Sequence, residues 1–365
     1  MLNHFFPRTV VLYTDNHQRT PPLPHLLEYT PKGLYCPAAD VYIDPHRTVP
    51  RAILTHAHSD HARRGHKYYL AHRSSEHLLR LRLGKGINLE TVGYNEPVVM
   101  NGVRISLHPA GHVVGSAQIR VEHGGEVWVV SGDYKLEPDG VTQPFEPVRC
   151  HTFITESTFG LPIYQWPAQA EVFEEINAWW RHNQAAGKVS LMLGYSLGKA
   201  QRLLQNVDHG IGKVYVHDTI WNVNEAIRQG GTPLPAAIRV DRHVAKGGCI
   251  GGLLIAPMSV IRSDWVNKIC PYVSGAASGW MALRRMQRSR STDYGFVLSD
   301  HADWPGLNAA VEATGAQRVI VTHGYQSAFA RHLNEQGYDA HEADRFFQTG
   351  LLRDTPVGEE REWED

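Results

Sequence analysis

The chain has 365 residues, enough for two domains or for one large domain carrying an insertion. Its 42% apolar and 20% charged residues argue against wholesale disorder, and no apolar run approaches the roughly 20 residues that cross a bilayer. A formal net charge of −1 excludes a polyanion-binding surface built from global charge, so any basic footprint must be local.

The opening stretch, MLNHFFPRTVVLYTDNHQRT, lacks a basic segment followed by a clean apolar one, and no signal peptide is expected. Cys36, Cys150, Cys249 and Cys270 form no C-x-x-C pair. Reduced, mostly buried thiols in a cytoplasmic protein are expected, with no thiolate zinc site and no membrane partner. Short β-like runs follow at 41–43, 52–54, 103–107 and 127–130, separated by Gly, Pro and Asn. The texture changes near Pro162. Val172, Phe173, Ile176, Trp179 and Trp180 fall at helical spacing and predict a helix over 168–182 with both tryptophans in its core stripe, and Gly187 as a stop. A strand-like run at 189–193 leads into a helix through Leu204, and further runs occupy 214–217 and 252–257. Strands alternating with helices predict a smaller parallel α/β unit. After the basic segment 284–290 the β-like runs return at 296–298 and 319–321, with a helix between them over about 304–314. The tail after Leu352 is charged and expected to fray.

Of the 22 histidines, most are scattered. Those in His56-Ala57-His58-Ser59-Asp60-His61 are not: they follow the apolar run 52–54, so a strand ending in a loop projects His56, His58, Asp60 and His61 from a rigid edge. Neutral imidazoles with a carboxylate suit zinc, or manganese where oxygen contributes more. Complementary parts come in order: His112 in Pro109-Ala110-Gly111-His112, Asp133 in Ser131-Gly132-Asp133, and His323 in Thr322-His323-Gly324. Each follows an apolar run and stands beside a glycine, which permits close backbone approach. Any one of these histidines alone would more often be structural; together they fill two metal shells. Two metals roughly 3.5–4 Å apart share a hydroxide and clamp a phosphate oxygen, and metal-bound hydroxide attacks the phosphate.

The order of His56 to His61, then His112, then Asp133 resembles the metallo-β-lactamase superfamily. Glu156 in TESTFG, His301 in SDHAD and His323 in THG resemble the extra motifs of its β-CASP nuclease branch, and GYSLGKAQRLL (194–204) resembles the start of the inserted β-CASP domain. Within that branch, YCPAADVYIDP (35–45), AGHVVGSAQ (110–118), SGDYK (131–135), FVLSDHADW (296–304) and VTHGY (321–325) are most similar to the bacterial ligase-associated DNA damage response exonuclease group. The resemblance implies an αββα metallo-β-lactamase sandwich (1–165, completed by 291–352), an inserted parallel α/β β-CASP domain (166–290) and a charged tail (353–365). It implies a first metal on His56, His58 and His112, and a second on Asp60, His61 and His323, with Asp133 bridging. Zinc is the expected ion and manganese the alternative. Asp44 would brace the loop; His301 would assist the leaving oxygen, oriented by Glu156, with Asp60 among the catalytic groups.

The implied activity is a two-metal DNA exonuclease acting in DNA repair, 5′ to 3′, on single strands or duplex ends, in association with an ATP-dependent DNA ligase and a helicase. The alternative is an RNA-processing β-CASP ribonuclease, favoured by His323, which RNA-processing members share. An inactive scaffold is disfavoured by the intact ligand set, and a small-molecule hydrolase by the insertion and His301. Secondary features stay open. Arg284, Arg285 and Arg288 suit phosphate contacts or a solvated linker. Lys135 suits a phosphate contact or, more readily, a surface ion pair. Ser196 and Lys199 suit a terminal phosphate at a helix start or a plain cap. Trp280 and Trp304 suit base stacking or, better, packing.

Overall fold

The computed structural model describes residues 25–241, 243–245, 247–283 and 292–347. Arg284, Arg285, Arg288 and the tail after Leu352 lie outside the described residues. Three sheets carry the fold. The first runs in sequence order through β1 (Glu28–Thr30), β2 (Gly33–Cys36), β3 (Val41–Ile43), β4 (Arg51–Ile53), β5 (Tyr68–His72) and β6 (Leu89–Val92), antiparallel at first and parallel from β3 onward. The second begins as a meander of β7 (Val98–Met100), β8 (Val103–Pro109), β9 (Ala117–His123) and β10 (Glu126–Val130). It then adds β11 (Thr152–Glu156), β18 (Arg318–Thr322) and β19 (Asp339–Glu342), all parallel. The third holds β12 (Val189–Leu193), β13 (Val214–His217), β14 (Ile238–Val240), β15 (Leu253–Ala256), β16 (Tyr272–Ala277) and β17 (Tyr294–Phe296) in the order β14-β13-β15-β12-β16-β17, parallel throughout.

The two-residue period of a strand decides the layers. In β10, Trp128 and Val130 enter a core shared with Ile43, Ile53 and Leu70 of the first sheet, while Val129 between them turns the other way. Ile320 of β18 joins that shared core, and Val319 and Val321 face outward. The outward side of the second sheet is covered by the helices Trp304–Thr314 and Gln326–Glu335, through Leu307, Val311, Phe329 and Leu333. The outward side of the first sheet is covered by Leu78 and Leu79 of the helix Glu76–Leu83 and by Val223 and Ile227 of the helix Asp218–Gln229. Strand β12 is buried at every position, as a central parallel strand must be, with Met192 packing against Trp180 on one face and Leu191 among Leu254 and Ala256 on the other.

The helix expected over 168–182 extends over Gln169–Ala185, with Trp179 and Trp180 buried. The strand expected at 296–298 is shifted to Tyr294–Phe296. Its partner β16 ends at Ala277, opposite Phe296, and Ser278 leaves for a short turn, so Val297 and Leu298 have no strand to pair with. Helix Trp304–Thr314 stops and starts where its sequence says. Asp303 accepts from Gly306 N at 2.9 Å, Pro305 opens the first turn, and Gly315 closes it at φ 62°. Among the described residues no helix is long and apolar enough to cross a membrane.

Candidate metal centre

One edge of the layered sheets collects the chemistry. His56 follows β4, His112 follows β8, Asp133 follows β10, Glu156 ends β11 and His323 follows β18, all at carboxyl ends of strands. His301 arrives from the third sheet, five residues after β17. Glycine is required where these loops cross. At Gly111 (φ 76°) a Cβ would meet the Lys135 carbonyl at 2.1 Å, and at Gly132 (φ 57°) it would meet Thr55 Cβ at 2.7 Å.

Three imidazoles converge. His58 Nδ1 stands 3.1 Å from His56 Nε2 and 3.0 Å from His112 Nε2. Asp133 Oδ2 lies 3.5 Å from His56 Nε2, 3.7 Å from His112 Nε2 and 3.4 Å from His61 Nε2. All five side chains are buried. Each outward nitrogen is committed. His58 Nε2 donates to the Leu197 carbonyl at 3.1 Å and His112 Nδ1 to the Asp300 carbonyl at 2.8 Å. His61 Nδ1 donates to Asp44 Oδ2 at 2.7 Å. Thr55 spends its hydroxyl proton on Asp44, so it accepts from His56 Nδ1 at 3.0 Å. The inward nitrogens of His56, His58 and His112 are therefore lone pairs, and lone pairs this close repel one another unless a cation lies between them. The chemistry of the donor set fits a divalent metal: neutral nitrogen ligands, a carboxylate, and fixed tautomers. His56, His58, His112 and Asp133 form a buried group that can hold one.

The electrostatics agree. Burial, reinforced by neighbouring histidines against the pull of Asp133, holds His56 well below the usual imidazole pKa, which keeps it neutral. Burial works against the charge of Asp133, yet His61 and the other imidazoles hold its carboxyl well below the usual range. His61 differs: burial opposes its charge, but Asp133, Asp60 and Asp44 together raise its pKa well above the ordinary value, so its inward nitrogen holds a proton that a bound cation would have to displace.

A second group adjoins the first through Asp133. His301 Nδ1 donates to both oxygens of Glu156, at 3.0 and 2.9 Å, and Glu156 also accepts from Tyr134 N at 2.8 Å. Asp133, Glu156 and His301 lie within metal-ligand reach of one another, and the His301 ring centre is 4.7 Å from that of His112.

Other expected residues stand further out. Asp60 is exposed, its Oδ2 3.6 Å from His61 Nε2. His323 is exposed with φ 52°, its ring centre 6.0 Å from His61. Asp44 touches Thr55 and His61 and accepts from Thr55 N at 2.8 Å. Lys135 is not in a surface pair: it is buried, with Nζ 2.6 Å from buried Asp139, because it follows Asp133 inward under the Gly111 turn. Lys199 opens the helix Lys199–Asn206 and lies 3.4 Å from Asp300; Ser196 is buried before it, and Gly198, not Ser196, is the cap residue. Trp304 packs on Phe329 and Trp280 on Phe159. Thr55, Leu197 and Asp300 escaped the sequence reading. Thr55 and Asp300 each adjoin a predicted site residue, which was the available signal; Leu197 contributes only a carbonyl, which no residue type announces.

No family model matches the chain. It is 33% identical over 315 residues to a probable DNA ligase of Opitutus terrae, a match covering 84% of this chain and 30% of that protein. It is 33% identical over 125 residues to the endoribonuclease ysh1 of Aspergillus fumigatus, covering 33% of this chain and 14% of the relative. With the endoribonuclease YSH1 of Saccharomyces cerevisiae it shares 30% identity over 122 residues, 33% of this chain and 15% of the relative. The chain thus spans less than a third of the length of these relatives. Among solved structures, a protein of unknown function from Enterococcus faecalis aligns with a TM-score of 0.51 at 11% identity, covering 84% of this chain and 77% of the other, a likeness of fold alone. With the motifs that end on the converging strand edges, these similarities identify the lineage: the chain belongs to the metallo-β-lactamase/β-CASP nuclease family.

Proposed function

We propose that the chain is a two-metal phosphodiesterase that removes nucleotides from DNA ends, 5′ to 3′, in DNA repair. The observation that carries the reading is the convergence of His56, His58, His112 and Asp133, with the His301–Glu156 pair joined to it through Asp133. In this reading His56, His58 and His112 would hold one ion and Asp60, His61 and His323 the other, with Asp133 available to both. Zinc suits the nitrogen-rich set, with manganese as the substitute. Divalent ions so held supply Lewis acidity to a phosphate and a nucleophile at neutral pH. The chain's own residues do the rest. Asp44 fixes the ring of His61, Glu156 fixes the tautomer of His301, and His301 passes a proton to the leaving oxygen. Lys135, Ser196 and Lys199 are buried and would support the site from behind rather than meet the substrate; Arg284, Arg285 and Arg288 are proposed phosphate contacts.

The two sheets with helices on both outer sides support a metallo-β-lactamase sandwich, and the third sheet, paired only within itself, supports an inserted β-CASP domain. Its expected span, 166–290, is extended in this reading to Phe296, because β17 pairs with β16. The four free thiols suit a reducing cytoplasm. The likeness to a probable DNA ligase supports a DNA-related role; association with an ATP-dependent ligase and a helicase is part of the proposal by family resemblance. The likeness to endoribonucleases favours a second reading, an RNA-processing nuclease, to which His323 also points.

End-labelled single-stranded DNA, duplex DNA and RNA, each with zinc or manganese, separate the readings. Mononucleotide release from DNA, lost in His58→Ala and Asp60→Ala, is the expected result. Equal or better cleavage of RNA would replace the first reading by the second.

A further inference from the structure

We propose that the third sheet's unit holds the metal centre in register, with Arg202 acting through Asp300 on His112 and the turn before Lys199 acting on His58. The inference rests on the metal reading of the site and concerns what keeps its ligands aimed. Two of the three converging imidazoles take their outward acceptor from that unit or from the loop leaving it. Leu197, between β12 and the helix Lys199–Asn206, accepts from His58, and Asp300, four residues after β17, accepts from His112. Without those carbonyls either ring nitrogen could carry the proton, and the inward lone pair would be lost part of the time.

Asp300 is itself gripped. Arg202 donates through Nη1 to the Ser299 carbonyl and faces Asp300 Oδ1 at 3.9 Å, and Lys199 Nζ stands 3.4 Å from Oδ2. Arg202 is anchored in turn by Gln169 Oε1 at 2.6 Å and Glu137 Oε2 at 3.3 Å. Lys199, Arg202 and Asp300 are all buried, as is the Lys135–Asp139 pair nearby. Buried ion clusters are poor sources of stability compared with apolar packing, and their best-attested use is to fix position. The fit is tight here: a Cβ on Gly198 would meet Val113 Cγ1 at 2.8 Å and Asp300 Oδ2 at 3.1 Å, so the start of that helix presses on the His112 loop.

Arg202 and Asp300 are thus positioning residues whose effect should appear in metal affinity, independent of turnover. The full chain is titrated with zinc against a chromophoric chelator, and its cobalt(II) ligand-field spectrum is recorded. Arg202→Met is expected to weaken zinc binding about 10- to 100-fold and to change the cobalt bands, with Arg202→Lys recovering most of the loss. Asp300→Asn keeps the shape and the carbonyl, and carries the test with an expected loss of about tenfold even where Arg202→Met does not fold. Asn183→Ala removes a buried hydrogen bond to Ser190 Oγ in the same unit, a contact that involves neither Leu197 nor Asp300, and should leave affinity unchanged. Wild-type affinity in Arg202→Met and Asp300→Asn overturns the proposal, as does an equal loss in Asn183→Ala. A wild-type chain that binds neither zinc nor cobalt overturns the metal reading itself, a separate outcome.

Discussion

Asp44 lies at a left-handed φ of 42° and accepts from Thr55 N, the Thr55 hydroxyl and His61 Nδ1. A non-glycine residue in that region is uncommon, and here three donors hold it there. Glu156 does the same for His301 with both oxygens, but its charge has a further use. In the proposed mechanism it would stabilise the imidazolium from which His301 gives up its proton. Glu156→Gln retains an acceptor for Nδ1 and loses the charge, so kcat on a DNA substrate should fall about 10²-fold or more with little change in KM. Steady-state rates on end-labelled DNA beside zinc titrations check this; an unchanged kcat would reduce Glu156 to a structural brace. The residues that touch one another at the site were legible because their side chains are chemically unusual: four candidate donors in six positions is a dense signal. The carbonyls of Leu197 and Asp300 were not, since every residue has one. Lys135 was misplaced for a related reason: a lysine is normally exposed, and only the fold shows that the chain turns inward after Asp133.

Elements follow the same rule, with signals read where side chains punctuate the backbone. The helix Trp304–Thr314 has an aspartate cap, a proline and a closing glycine, and its limits match the expectation. The helices Asp218–Gln229 and Gln326–Glu335 went unread. The first is capped by His217, whose Nδ1 accepts from Thr219 N at 3.2 Å, a use that the sequence does not advertise. Leu307, wholly buried between the helix Trp304–Thr314 and the second sheet, should cost about 2–5 kcal/mol on truncation to Ala, read by urea unfolding. His72 offers a pH test on another short element. It ends β5, stacks on Tyr94 at 3.5 Å, and its Nδ1 accepts from Ser74 N at 3.2 Å to cap the turn Arg73–Ser75. Burial, with Arg73 adding to it, pushes its pKa from 6.5 down to about 4. The folded state therefore prefers the neutral ring. Its contribution is present above pH 6.5 and lost as pH falls through 4. Partial solvent contact trims that loss to about 1–2 kcal/mol. His72→Asn keeps an acceptor that does not titrate, and should flatten urea-derived stability between pH 6.5 and 4. An acid limb as steep as the wild type's would show that His72 has no part in it.

At the scale of the whole molecule, the question is whether the third sheet is a passenger or a part of the metal centre. Among the described residues its strands pair only with one another, which alone would let it open independently. Against that, the Leu197 and Asp300 carbonyls hold His58 and His112, and Arg202 reaches Ser299 from the helix Lys199–Asn206. An ion that binds only when both imidazoles are aimed must also favour the closed arrangement, since a ligand stabilises whichever state binds it. At a free zinc concentration a hundred times the dissociation constant, that linkage is about 2.7 kcal/mol. Amide hydrogen exchange measures where it goes. Zinc should slow exchange in β12 and β15 of the third sheet as well as in β10 and β11 of the second, by up to about 100-fold in segments that open by undocking. Protection gained in the second sheet alone would mean that the metal centre closes without the third sheet, and that the two carbonyls are contacts of convenience. Protection gained in both, and lost from the third sheet in Arg202→Met, would make the third sheet a component of the site, placed there by one buried arginine.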